Sequence, residues 1–263
     1  MQKTSALARI TPLILTYNEE ANIARTLDSL QWARRIVIVD SGSTDKTLEI
    51  MASHPQAEVF ERRFDTHAKQ WNFGLLQIDT DWVLSLDADY VISPDLKQEM
   101  ENAVQGAAEL ATKGFRIPFR YCIQGRPLRG TILPPRMALF EAGAGIYEDD
   151  GHTQKLVLRG RWADLKHPIL HDDRKPLSRW LWAQNRYIKL EAEKLLHSPN
   201  HQLGLADKVR KNSVLAPFAV FFLCLIWQGL ILDGWRGWFY SLQRLYAETL
   251  LALMLLERRL HRS

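Results

Sequence analysis

The stretch that most constrains this chain is Val83-Leu84-Ser85-Leu86-Asp87-Ala88-Asp89, a short apolar run ending in two carboxylates one residue apart. Preceded by Asp79-Thr80-Asp81-Trp82 and followed by Tyr90, it reads as a buried strand whose end opens onto solvent at a sheet edge. Open α/β sheets place their ligands at that end of a strand. Two acids so spaced supply oxygen ligands for a divalent cation, the usual partner of a diphosphate. A solvated strand end leading into a helix cap is the plainer alternative.

The residues before it repeat one pattern. Ile10 to Thr16 is an apolar run closed by Tyr17-Asn18-Glu19-Glu20, and Ile23, Leu27 and Leu30 follow at helical spacing. Ile36 to Val39 is a β-branched run that ends in the turn Asp40-Ser41-Gly42-Ser43-Thr44-Asp45, with Leu48 and Met51 facing inward beyond it. A third strand is expected from Ala57 to Phe60 and a helix from Ala68 to Ile78. Strands alternating with helices predict βαβ units and a parallel sheet. After a helix from Leu96 to Leu110 the pattern changes: Gly114 to Gln124, Arg136 to Glu141 and Leu156 to Leu158 read as short strands that extend the sheet with antiparallel pieces. Helical patterning returns at Leu177 to Leu196 and again at Phe239 to Leu260.

Composition excludes several classes. With 263 residues, 46% hydrophobic and 24% charged, the chain has material for a sizeable core and no mark of disorder. Cys122 and Cys224 stand far apart, so neither a disulfide framework nor a zinc site is indicated, and a reducing compartment is the default. No secretory leader is expected from Met1 to Arg9. The net charge of +4 hides an acid-rich part up to about residue 105 and a base-rich part from Lys155 to Lys211. No nucleic-acid module is recognisable. The Gly-x-Gly-x-x-Gly turn of a dinucleotide-dependent oxidoreductase is missing after the first strand, where Thr16-Tyr17-Asn18-Glu19 stands.

Three clusters fall at the C-terminal ends of the expected parallel strands: Thr16 to Glu19, Asp40-Ser41 and Asp87-Ala88-Asp89. An aromatic ring with nearby carboxylates can stack on a base and accept its N–H, while the second pair of acids grips a metal-bound diphosphate. With Asn72 added at its spacing before Leu86-Asp87-Ala88-Asp89, these motifs resemble glycosyltransferase family 2, the inverting transferases of the GT-A fold. Arg136 to Phe140, His152, Pro168-Ile169-Leu170-His171, Arg186-Tyr187 and Leu232-Asp233-Gly234 look like the later part of the bacterial lipopolysaccharide core glucosyltransferases, so the resemblance covers nearly the whole chain.

That resemblance implies a GT-A nucleotide-diphospho-sugar transferase fold, a mostly parallel sheet with antiparallel additions. It divides the chain into a nucleotide-sugar-binding half (1–110), an acceptor-binding part of the same catalytic domain (111–175) and a helical, membrane-associating extension (176–263). It implies that Tyr17 and Asp40 hold the uracil, with Glu19 close by and Thr16 among the residues of the nucleotide site. Asp87 and Asp89 would serve the ribose and a Mn2+ or Mg2+ ion, and His171 would approach the metal or the diphosphate; a surface histidine after a strand is the alternative for His171. Where many relatives have Arg before the Asn matching Asn72 this chain has Trp71, which leaves Lys69 as the nearest cation for the pyrophosphate. Tyr90 stands where an acid is common.

Inverting transfer needs a base facing the donor across the acceptor site. Tyr147-Glu148-Asp149-Asp150-Gly151-His152 offers three acids, among which Asp150 is favoured and Asp149 is next. The group usually has His then Glu here, whereas this chain has His152-Thr153-Gln154, so His152 is a partner or itself a base. A solvated turn is the alternative for this acidic run.

Val214 to Leu232 carries no charge over 19 residues, the length at which a membrane span becomes a candidate. Pro217 and flanking cations on both sides argue instead for a monotopic anchor or shallow hairpin; a buried helix or an oligomer interface are alternatives. The functional expectation is a UDP-sugar transferase, with glucose as donor sugar and a lipid-linked core saccharide as acceptor, on the cytoplasmic face of a bacterial inner membrane. A non-catalytic nucleotide-sugar-binding membrane adaptor is the alternative.

Overall fold

The computed structural model describes residues 5–150, 153–199, 201, 203–212 and 214–261. They fall into two units, Met1–Gly125 with Leu133–Arg174, and Arg126–Ile132 with Lys175–Ser263.

The first unit opens with β1 (Ile10–Thr16), α1 (Ile23–Asp28), β2 (Ile36–Asp40), α2 (Thr47–Ala52), β3 (Ala57–Glu61), α3 (His67–Leu75) and β4 (Trp82–Asp87). It continues with β5 (Tyr90–Val91), α4 (Pro94–Gly106), β6 (Thr112–Ile117) and β7 (Phe119–Ile123). After the two-residue β8 (Arg126–Pro127) of the second unit come β9 (Arg136–Glu141), β10 (Gly145–Asp150), β11 (Thr153–Leu158), β12 (Arg161–Asp164) and β13 (Ile169–His171). The main sheet runs β12-β6-β9-β4-β1-β2-β3, and β9 is antiparallel to both its neighbours.

Strands that are apolar at nearly every position need cover on both faces. Alternation sends Ile14, Ile38, Leu84 and Leu86 to one face, under Leu27, Met51 and Met100. Leu13, Val37, Val39 and Val83 go to the other, under Ala68 and Trp71 of α3. Gly74 lets α3 rest directly on the sheet, since a Cβ there would lie 2.5 Å from Leu13 Cδ1 and 3.1 Å from Val39 Cγ2.

Three local readings change. The strand expected from Gly114 to Gln124 is two strands, because Pro118 lacks the N–H a ladder requires; β6 joins the main sheet, while β7 pairs with β13. The apolar run at Val83 stops being a strand at Asp87, leaving Ala88 and Asp89 on the turn into β5. Glu148 and Asp149 are not in a turn: they lie in β10, paired antiparallel with β11.

The second unit is helical after β8: α5 (Leu177–His197), α6 (Leu205–Asn212), α7 (Ala216–Phe222) and α8 (Trp235–Leu260). Ile188, Ala192 and Leu195 of α5 meet Leu251 and Leu255 of α8 in its core. Glu248, nearly buried, accepts both Arg210 Nη2 (2.6 Å) and Nε (3.0 Å). The apolar segment from Val214 is not one continuous helix. α7 passes into a wide π turn at Leu223–Trp227, Gly229 takes φ 71°, a 3-10 turn spans Leu230–Asp233, and Gly234 at φ 60° starts α8 four residues before the expected Phe239 boundary is reached. Among the described residues no helix is long and apolar enough to cross a membrane.

Candidate functional site

Strand register gathers the acidic turns at one rim. Thr16 lies opposite Asp40, and Leu15 lies opposite Asp87, so the C-terminal ends of β1, β2 and β4 finish together. The 16–20 segment is stitched to the turn after β2. Asn18, at φ 54°, donates its N–H to Ser43 Oγ (2.9 Å) and accepts Thr44 N–H on its own Oδ1 (2.8 Å), while Glu19 N–H reaches Thr47 Oγ1 (2.7 Å). Tyr17 emerges from this frame 45% exposed, an aromatic ring of the kind that stacks on a planar base.

Asp40 does not face outward as the resemblance implies. It is fully buried, with Oδ1 accepting Thr16 Oγ1 (2.8 Å) and Ser43 Oγ (2.6 Å) and Oδ2 accepting the N–H groups of Gly42 (2.9 Å) and Ser43 (2.8 Å). Gly42 at φ 88° aims those N–H groups inward. Every lone-pair direction is thus engaged, and the residue shapes the turn instead of holding a base.

Asp89 and His171 form the centre of the rim. β13 pairs with β5 so that His171 stands opposite Tyr90, and Nε2 of His171 lies 3.1 Å from Asp89 Oδ2. The Asp89 and His171 side chains are 14% and 20% exposed. Asp89 Oδ1 and His171 Nδ1 are both buried without a hydrogen-bond partner. Such orphaned atoms are costly unless a ligand completes them. Burial opposes protonation of His171, but the Asp89 charge and hydrogen bond outweigh it and raise its pKa. The turn beyond β13 is pinned: Asp172 N–H donates to Asp89 O (3.0 Å), Arg25 Nη2 to Asp172 O (2.9 Å), and Asn22 Nδ2 to both Asp173 Oδ1 and Glu19 Oε2 (each 2.9 Å).

Asp87 belongs to a different set of contacts. Its Oδ2 accepts Arg136 Nη1 (3.1 Å), and the Tyr90 hydroxyl also bonds it. Burial works against its ionisation, yet Arg136 and Tyr90 hold its pKa below the ordinary carboxylate value. Arg136 in turn lies over the buried Trp71 ring (5.4 Å), which stacks on Tyr147 (5.2 Å). In the orientation that satisfies its neighbours, the Gln154 amide oxygen accepts Arg136 Nη2 (2.9 Å) and Trp71 Nε1 (3.0 Å). Asp87 is therefore an ion-pair partner in this arrangement, and Asp89 with His171 is what remains for a cation. Among the described residues no group of three or more His, Cys, Asp or Glu is placed to hold a metal. Two protein ligands with unused atoms fit a cation shared with substrate phosphates, the usual way Mg2+ is bound beside nucleotides.

Asn72 clamps the β10–β11 hairpin, giving Nδ2 to Tyr147 O (2.8 Å) and accepting Tyr147 N–H on Oδ1 (2.9 Å). Asp149 is exposed and accepts the N–H of Ala68 in the first turn of α3 (3.3 Å). Lys69 is 64% exposed and engaged with Asp65 at 3.5 Å. The Asp150 side chain and His152 lie outside the described residues. Sequence reasoning missed the pairing of Arg136 with Asp87 and the Asn22–Arg25 anchor of the His171 turn. The only sequence signal for the first was a lone arginine at the head of an apolar strand.

Residues 13–142 match the family Glycosyl transferase family 2. An uncharacterized glycosyltransferase of Rickettsia bellii is 36% identical over 94 residues, 35% of this chain and 32% of that protein; the chain thus matches about a third of the length of such relatives. The lipopolysaccharide core biosynthesis glycosyltransferase LpsC of Rhizobium meliloti is 25% identical over 203 residues, 72% of each chain. Among solved structures, the mannosyltransferase PcManGT from Pyrobaculum calidifontis, in complex with GDP-Man and Mn2+, superposes with a TM-score of 0.54 at 17% identity over 93% of this chain and 87% of that one, a likeness of fold. Residues 13–142 thus carry the likeness to glycosyl transferase family 2, and the fold is GT-A.

Proposed function

We propose that this chain is an inverting hexosyltransferase that moves a sugar, glucose in this reading, from a UDP-sugar to a lipid-linked saccharide of the lipopolysaccharide-core type. The observation that carries the reading is the Asp89–His171 pair, whose two buried atoms without partners lie at the rim where the β1, β2 and β4 turns end. The extended match to LpsC supports a core-saccharide acceptor, and the fold shared with PcManGT supports a nucleotide-sugar donor.

In this reading Tyr17 stacks on the uracil, and Asp40 keeps the 41–45 turn in shape beside it. Asp89 and His171 would hold a divalent cation, which when bound neutralises charge on the departing diphosphate. Asp87, fixed by Arg136, faces the ribose. A carboxylate of β10, Asp150 or Asp149, takes the proton from the acceptor hydroxyl as it attacks the anomeric carbon, and the bond to UDP breaks on the opposite side, inverting the centre. No covalent sugar on the protein is required.

The test is a panel of UDP-, GDP- and ADP-sugars with Mn2+ and the purified chain, following nucleotide release and, with a core-saccharide acceptor, product anomeric configuration by NMR. Release from UDP-glucose with an inverted product is the expected result. Turnover of a GDP- or ADP-sugar alone would remove the UDP assignment, and donor binding without turnover would leave a nucleotide-sugar-binding module.

A further inference from the structure

The second unit presents a surface that the donor chemistry does not use. Of the 28 large apolar side chains exposed among the described residues, 14 fall between Val214 and Tyr246, on the entry to α7, α7 itself, the two turns after it and the first half of α8. Trp227 and Trp235 are 83% and 88% exposed, and Phe218, Phe222, Ile226 and Leu232 each show more than half of their surface. An exposed apolar patch of this kind marks an interaction surface.

The surface is built on a fixed frame. α7 packs on α8, the Phe221 and Trp238 rings meet at 6.1 Å, and Gly237 brings the α8 backbone against Leu230 so closely that a Cβ would sit 1.7 Å from its carbonyl oxygen.

Charge selects the occupant. From Val214 to Tyr246 the only acid is Asp233, which accepts Arg129 N–H (2.9 Å) and faces its guanidinium (3.4 Å). Across the whole second unit 15 Lys and Arg stand against 6 Asp and Glu, a net +9, whereas the first unit carries −5. A second copy would set +9 against +9. An anionic phospholipid leaflet satisfies both the apolar surface and the cations, and tryptophan is the residue that favours the headgroup level.

We propose that the second unit docks in the plane of an anionic phospholipid leaflet, the chemistry of a membrane's cytoplasmic side, through the 214–246 surface with Trp227 and Trp235 as its interfacial anchors. The α7–α8 turn enters the headgroup layer without crossing the bilayer. This does not depend on the donor-site reading.

Flotation of the full chain with phosphatidylglycerol-rich and pure phosphatidylcholine vesicles, at low and high salt, tests it. Wild type is expected to float with the anionic vesicles and less so at high salt. W227S/W235S should lower the partition coefficient at least about tenfold, while Leu76→Ser, an 81% exposed apolar side chain of the first unit, leaves it unchanged. Absence of wild-type flotation with anionic vesicles would overturn the proposal, as would undiminished binding by the double variant. Self-association abolished by W227S/W235S, with vesicles left unbound, would assign the surface to a second copy instead.

Discussion

The two units place their apolar residues in opposite ways. In the first, Leu13, Ile14, Val37, Ile38, Val83 and Leu84 are wholly buried and the exposed rim is acidic; in the second, the most apolar segment of the sequence is turned outward above a basic scaffold. A rim that must hold two polar atoms unpaired for a ligand needs a stiff sheet beneath it, because nothing within the rim offsets their desolvation. A surface that only adheres needs area and charge. Burial therefore marks where specific chemistry is held, and exposure marks where the chain meets something broad.

The largest expected effect sharpens that contrast. Asp89→Ala should lower kcat/KM for donor turnover by about 10² to 10³, the scale on which transition-state charge stabilisation is lost, while stability falls by only about 1 kcal/mol, because the bond from Oδ2 to His171 is given up along with Oδ1, an atom that lacks a partner. Loss of folding instead of activity would make Asp89 a structural residue. In the second unit Gly237→Ala should cost about 3 kcal/mol, since the added carbon meets the Leu230 carbonyl, which cannot rotate away. Denaturant unfolding measures it, and a neutral substitution would mean that the frame under the apolar surface is looser than described.

A smaller effect is expected at Arg136. Arg136→Met should destabilise by about 2 kcal/mol, below the full figure for a buried pair because the Asp87 side chain keeps 43% exposure. Arg136→Lys should restore part of the stability but not the stacking on Trp71. Equal stability of all three proteins would break the link between the rim and the β10–β11 hairpin.

The smallest effect concerns the approach to His171. Glu99 accepts the N–H groups of Lys166 (2.9 Å) and His167 (2.8 Å) and the His167 ring (2.8 Å). Burial opposes its ionisation, but these bonds hold its pKa below the usual glutamate value. A carboxylate depressed in the folded state contributes its stability above the unfolded pKa and loses it as pH falls through the folded one. Glu99→Gln should cost about 1 kcal/mol at neutral pH, and the difference from wild type in thermal midpoint should shrink on acidification below about pH 4. A difference that grows on acidification would refute the sign.

The strand ends were legible because each buried run stops at polar turn residues, and their chain order fixes which turns share an edge. The roles within the rim were less so. Asp40 reads as an outward acid, since one of the four groups that enclose it comes from Thr16 on β1 and the other three from the 42–43 backbone and side chain folding back on it, a closure that exists only in three dimensions. Arg136 and Asp87 are 49 residues apart and meet through β9 lying antiparallel to β4. The Val214 segment reads as long enough to span a bilayer, and only the backbone at Gly229 and Gly234 reveals how it is folded into short turns.

The affinity of the chain for UDP with and without Mn2+, compared between wild type and Asp89→Ala by titration calorimetry, tests the central claim most directly. Mn2+ should tighten UDP binding at least about tenfold in wild type, the scale of a metal–diphosphate contact, and do nothing in the variant. UDP affinity indifferent to Mn2+, or equally enhanced in both proteins, would contradict it.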